Sequence, residues 1–190
     1  RARFEPEQLD LITELAETQA LFNDLLVDPA DRRTASRKVI GRGMSSWWRG
    51  AQPEQSAFLA PARAELDGVL DGDTITLRAP GRVTLSMREG TTFPATITNN
   101  YDREIQVQPV FESVQGQRIQ FPEQSVVMVP PGESVTVNVS PVAEVNGLVN
   151  VSGHLTTPSG HRVGDPVEVL VEVTDLGMAA WVIVIISGIV

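Results

Sequence analysis

The chain has 190 residues, 24 of them acidic and 15 basic, giving a formal charge of −9, and it contains no cysteine. An acidic surplus argues against a phosphate-binding surface and against nucleic acid as a partner, because that affinity is carried largely by Lys and Arg. The missing cysteine removes disulfides, thiolate metal sites and cysteine nucleophiles together.

Helical periodicity comes first. Pro6 stands where a first-turn proline is tolerated, and Leu9, Ile12, Leu15, Ala16, Phe22 and Leu26 recur mostly at three- and four-residue steps. Asp28-Pro29 then reads as a stop followed by a start, with Asp as cap and Pro in the first helical position. A second helix is expected from Pro29 to about Trp48, with a thin apolar stripe of Ala35, Val39 and Ile40 between Arg32, Arg33, Arg37, Lys38 and Arg42. Gly50 and Pro53 break it. A third helix carries Phe58, Leu59, Ala62, Leu66 and Leu70 on one side, and Pro61 within it predicts a late start or a kink.

Beyond Asp71-Gly72-Asp73 the period becomes two. Strands are expected over 74–79, 83–88, 93–98, 105–112, 117–129, 133–140, 148–157 and 167–174. Turn chemistry separates them, as in Pro130-Pro131-Gly132 and Pro158-Ser159-Gly160. Short alternating strands at this spacing predict an immunoglobulin-like antiparallel β-sandwich, in a mainly β chain. Without the Cys–Trp–Cys set of antibody domains, its core is expected to be largely aliphatic. The domain reading is a helical segment of about three helices over 1–71, the sandwich over 72–175, and the start of a transmembrane helix over 176–190.

That last segment, from Met178 onward, has no charge and no strong polar group. Thirteen apolar residues fall short of the ~20 that cross a bilayer. The apolar run nevertheless continues to the last residue, and Trp181 sits near its start, where interfacial aromatics collect. It is read as a membrane helix cut short, in a single-pass protein with the sandwich on the extracytoplasmic side. Both ends of the chain look cut, as in a piece of a longer protein. Lys38 is the only lysine beside fourteen arginines, a bias that points to a bacterium with a GC-rich genome.

Signals for catalysis are sparse. His154 and His161 flank the Pro158-Ser159-Gly160 turn, and their separation puts them on opposite strand faces, so both are expected at the surface. Asp71-Gly72-Asp73 lacks the further ligands of a calcium loop. Ser152-Gly153-His154 lacks the context of a nucleophile elbow. No catalytic residue, metal or cofactor is expected. The most notable local feature is Ser45-Ser46-Trp47-Trp48-Arg49-Gly50. Adjacent tryptophans on a helix point about 100° apart, so both are unsuited to one small core. Structurally, one packs between helix and sandwich while the other covers a loop. Functionally, Trp47, Trp48 and Arg49 form a partner-binding or sugar-stacking surface. The second helix's arginines read as a solvated face that would meet anionic lipid if it lay near a membrane. Within the tail, Ser187 and Gly188 are the small pair suited to close helix packing, and Trp181 joins them as a partner-binding candidate.

Several of these features occur together in one known family. The helical stretch ending in Ser46-Trp47-Trp48-Arg49-Gly50, the segment Phe93-Pro94-Ala95-Thr96-Ile97-Thr98-Asn99-Asn100, Pro130-Pro131-Gly132 before an alternating strand, and Gly160 to Val173 running into an apolar tail resemble the C-terminal part of an uncharacterised actinobacterial cell-envelope membrane protein family, often encoded next to the MurJ-type lipid II flippase. The resemblance implies a membrane-proximal, extracytoplasmic interaction module, with the flippase and membrane lipid as partners and a role accessory to the export of cell-wall precursor. It carries over no functional residue. The alternatives are a carbohydrate (peptidoglycan)-binding module or a spacer attached to an upstream enzymatic domain; for the former, Trp47 and Trp48 are the only good platforms.

Overall fold

The N-terminal region folds into α1 (Pro6–Leu25), α2 (Ala30–Gly43) and α3 (Gln52–Leu70). The structure is a computed structural model and describes residues 4–70, 73–86, 91–113, 119–143 and 146–174. Pro6 takes the first position of α1, where its missing N–H is not needed. Ile12, Leu15, Phe22 and Leu25 form the buried stripe, and Gln8 and Gln19 are buried on the same line. Leu9, counted with that stripe on sequence, lies at its margin and is 48% exposed.

Pro29 takes the cap position of α2 in place of the first helical position expected for it, and Asp28, expected as the cap, lies one residue before it and accepts from the N–H of Ala30 at 3.1 Å. The helix also ends earlier than its periodicity predicts, at Gly43. The N–H groups of Met44 and Ser45 fold back onto the carbonyls of Ile40 and Arg42 (2.9 and 3.1 Å), and the two tryptophans fall in a separate 3-10 turn, Ser46–Trp48. Along α2 the buried positions are Ser36 and Gly43, whereas Ala35 is exposed. α3 runs unbroken from Gln52 through Pro61, without the late start expected. Pro61 and Ala57, whose carbonyl loses its helical partner to the proline, both lie on the exposed side, so the missing bond is left to water.

Among the described residues ten strands follow: β1 (Ile75–Arg78), β2 (Arg82–Ser86), β3 (Phe93–Asn99), β4 (Ile105–Ser113), β5 (Ile119–Gln120), β6 (Val127–Val129), β7 (Ser134–Val139), β8 (Val142–Ala143), β9 (Gly147–Thr156) and β10 (Arg162–Thr174). One sheet has the order β1-β3-β7, and a larger one β2-β10-β9-β4-β6; β5 and β8 pair separately. The pairings are antiparallel except β2 with β10, which is parallel. Alternate residues point inward, as in Phe93, Ala95 and Ile97 of β3 and Val169, Val171 and Val173 of β10. Phe93 and Phe111, one from each sheet, meet edge to face at 5.4 Å. The chain is thus mainly β, with sandwich-like sheets behind a small helical segment.

Two of the expected strands change, and one short strand, β8, is added where none was expected. The run over 117–129 holds two short strands, Ile119–Gln120 and Val127–Val129, with Pro122 between them. The last strand starts at Arg162, five residues before the expected start at Val167. Its Gly164-Asp165-Pro166, left outside the expected strand, forms a bulge within it, with the pairing to β9 shifting between Val163 and Val167. Gly164 has φ +68°, and a β-carbon there would stand 2.5 Å from the carbonyl oxygen of Ile75, so the bulge admits β1 only with glycine. No described helix is long and apolar enough to cross a membrane. The expected membrane segment lies outside the described residues, as do Asp71 and Gly72 of the turn motif.

The helices pack against one end of the sandwich and share its core. Leu26 bridges to Ile105, the N–H of Val27 donates to Glu104 O (3.3 Å), and Gln106 Nε2 donates to Asp24 O (3.1 Å). The N–H of Ser159 donates to the Asp24 carboxylate at 2.9 Å, and Phe22 lies edge-on to Tyr101. These contacts gather at the end where β4 and β10 begin. Thr174, the last residue of β10, is at the other end, roughly 40 Å away at the rise of an extended strand.

Candidate functional site

The turn between α2 and α3 is built from inside. Gly43 packs under Leu59: a β-carbon there would stand 3.0 Å from the Leu59 side chain. Ser45 Oγ accepts from the N–H of Trp47 (3.3 Å) and starts the 3-10 turn; Gly50, with φ +78°, closes the return into α3. Beneath it lie two glutamines with no exposed surface, Gln8 of α1 and Gln55 of α3. Gln8 Nε2 donates to the carbonyl of Trp48 and to Gln55 Oε1, each at 2.9 Å. Gln55 Nε2 donates to the carbonyl of Gly43 at 2.8 Å, and Gln8 Oε1 accepts from the N–H of Glu5 at 3.1 Å. The pair therefore holds both limbs of the turn and the start of α1, and in a buried site such bonds are costly to leave unmade.

The three candidates on this turn do different things. Trp48 is structural: its ring stacks on Phe58 with centroids 5.4 Å apart, and its Nε1–H donates to Arg42 O at 2.7 Å. It covers α3 and does not reach the sandwich. Arg49 lies over the ring of Phe4, 5.7 Å from its centroid. Trp47 is 82% exposed, and Met44 beside it is 58% exposed. A shallow hollow of about 210 Å³ is walled by Trp47, Trp48, Phe58, Arg42 and Ser45. A large aromatic is rarely left outside without a use, and this one sits on a turn that is itself fixed. Met44 was missed on sequence because the helix was expected to continue past it. The glutamines were legible in part, since Gln8 continues the stripe of Ile12, Leu15, Gln19 and Phe22. Trp181, Ser187 and Gly188 lie outside the described residues.

The histidines divide. His161 is exposed in its turn, whereas His154, expected at the surface, is only 6% exposed. On β9 it faces away from Val151, Gly153 and Leu155, opposite Val110 of β4. Burial lowers its pKa, the nearby Arg162 lowers it further, and Glu112 opposes both. Sequence reasoning set the two histidines on opposite faces and both at the surface; it did not show that the face of β9 carrying His154 is covered there. Among the described residues no three His, Asp or Glu side chains converge as metal ligands would.

No family model matches the chain, and no curated protein matches it. Solved structures do resemble it in part. The periplasmic chaperone SfaE is 14% identical over 53% of this chain, with a TM-score of 0.37. The α2-macroglobulin of Salmonella is 14% identical over 55% of it (TM-score 0.41), and the Calx CBD1 domain 13% over 54% (TM-score 0.39). The matched part spans 56% of the SfaE chain, 7% of the macroglobulin and all of the Calx domain. Likeness at this level carries nothing about function across.

Proposed function

We propose that this chain is a non-catalytic interaction module of an extracytoplasmic, membrane-anchored protein, in which an immunoglobulin-like sandwich carries a three-helix head that binds a protein partner through Trp47. The observation that carries the reading is the contrast at the turn: Trp47 is 82% exposed while the backbone on either side of it is tied down by two fully buried glutamines. Pre-ordering a contact residue lowers the entropy lost on binding, and exposed Trp is the residue type most enriched among energetic anchors of interfaces. The apolar tail and the resemblance to the actinobacterial envelope family support a membrane anchor and make the MurJ-type lipid II flippase the partner to test first. The full-length protein, purified from native membranes in mild detergent, is expected to bring the flippase with it, and Trp47→Ala to weaken that recovery. Failure of the wild-type protein to recover the flippase removes that partner; equal recovery with Trp47→Ala removes the turn as the contact.

The aromatic hollow beside Trp47 favours one other reading, a carbohydrate module that stacks a sugar ring. Titration with peptidoglycan fragments, followed by tryptophan fluorescence, separates the two, because a silent titration leaves only the protein partner.

A further inference from the structure

The acidity of the chain is unevenly placed. α2 carries five cations, Arg32, Arg33, Arg37, Lys38 and Arg42, against the single anion Asp31. Arg32 is ion-paired with Glu65. Among the described residues, Arg33, Arg37, Lys38 and Arg42 have no carboxylate within salt-bridge distance. Arg33 and Arg37, one turn apart, wall a groove of about 220 Å³ between α2 and α1. Gln19, Asn23 and Ser36 supply its other polar groups, small apolar side chains and Ile40 complete it, and no carboxylate lines it. Gln19 is only 8% exposed, and its Nε2 is buried without an acceptor; Asn23 Oδ1 nearby lacks a donor. Buried polar atoms normally have partners, so the spare donor on Gln19, a residue that lines this cationic groove, points to an occupant that accepts hydrogen bonds; the Asn23 oxygen needs a donor and is left to water.

We propose that the α1–α2 groove binds a phosphate group. Its donors belong to two helices: the guanidinium forks of Arg33 and Arg37 from α2 and the amide of Gln19 from α1. Donors arriving from several directions suit a tetrahedral anion with three acceptor oxygens better than a planar carboxylate, which one fork satisfies. The net charge of −9 speaks against an extended phosphate-binding face, and a groove of this size holds one such group. The site uses residues other than Trp47 and stands apart from the protein-binding reading above.

The test is an NMR titration of the full chain in mild detergent, with inorganic phosphate and then glycerol 3-phosphate, following the side-chain amide of Gln19 and the Nε–H signals of Arg33 and Arg37. Saturable shifts of these signals are expected. Arg33→Gln with Arg37→Gln is expected to weaken binding about tenfold or more, given the strength of hydrogen bonds to charged groups. Arg78→Gln, which removes one charge from the exposed end of β1, should leave it unchanged. Doping the detergent micelles with phosphatidylglycerol, against phosphatidylcholine as control, distinguishes the source: displacement of glycerol 3-phosphate by the former alone identifies a lipid headgroup, and no displacement a soluble phosphate. Absence of saturable shifts, equal weakening by Arg78→Gln, or equally tight binding of polyglutamate would overturn the assignment.

Discussion

Gln55→Leu tests whether the turn is held from within. The change keeps the side chain's approximate size while removing its amide. It deletes the bonds from Gln8 Nε2 to Gln55 Oε1 and from Gln55 Nε2 to Gly43 O, leaving one Gln8 N–H and the Gly43 carbonyl buried and unpaired. Each orphaned group costs about 1–3 kcal/mol, and the added apolar carbon returns part of that, so the net loss is about 2–4 kcal/mol. Urea unfolding followed by tryptophan fluorescence reads this directly, because Trp47 and Trp48 are on the affected turn. Gln8→Leu should cost a similar amount, through the carbonyl of Trp48 and the N–H of Glu5. The double variant should cost less than the sum of the two, by about 1 kcal/mol, because the bond between the glutamines is lost only once. A loss below about 0.5 kcal/mol for either single change, the range of ordinary surface substitutions, refutes the reasoning. The turn would then be held by Trp48 on Phe58 and by Gly43 under Leu59.

Three further outcomes are expected. Phe22→Ala, at a ring with no exposed surface between helices and sandwich, should cost about 3–5 kcal/mol in a urea titration; a fall confined to the helical signal would show that the two parts unfold separately. Gly164→Ala forces a β-carbon onto the Ile75 carbonyl at positive φ and should lower stability by about 1–3 kcal/mol, read as a lower urea midpoint. The lowered pKa of His154 means that its contribution is complete above the unfolded-state value, about 6.5, and is lost as pH falls through the folded value. The urea midpoint of the wild type should therefore drop between pH 7 and pH 5 more than that of His154→Gln, and parallel drops would reject the histidine as the cause.

Much of the architecture is written locally. The change from a helical to a two-residue period at Asp73 separates head from sandwich, and strands such as β7 and β9 alternate because one face is buried. What the chain does not write locally depends on partners far along it. The Gly164-Asp165-Pro166 bulge carries the residues of a turn, and only β1 docking against Gly164 makes it part of a strand. His154 obeys alternation and is buried all the same. At the candidate site, the tryptophan pair was conspicuous, but Trp47 and Trp48 look alike until Phe58 takes one of them. Gln8 and Gln55 meet across 47 positions, a pairing no short-range pattern encodes. The groove of the phosphate proposal was half legible: the cations of α2 stood out, but their neighbours Gln19 and Asn23 come from α1, and no short-range pattern links them.

The geometry also constrains what one partner can touch. α1 and α3 join the sandwich at their C-terminal ends, so the turn bearing Trp47 is a full helix length from that junction, about 28 Å for the 19 residues of α3. β10 then runs roughly 40 Å in the other direction to Thr174, after which the chain enters the apolar segment within a few residues. A protein that packs on a membrane helix starting there contacts the chain within the bilayer, whereas one that packs on Trp47 contacts it at the end of the head away from the sandwich. If the tail is the membrane helix proposed above, a single partner making both contacts needs a substantial part outside the bilayer. A partner confined to the bilayer can use only the tail, and for such a partner Trp47→Ala is silent while replacement of residues 178–190 is not. The two perturbations, made separately on the same full-length protein, therefore report where the partner binds as well as whether it does.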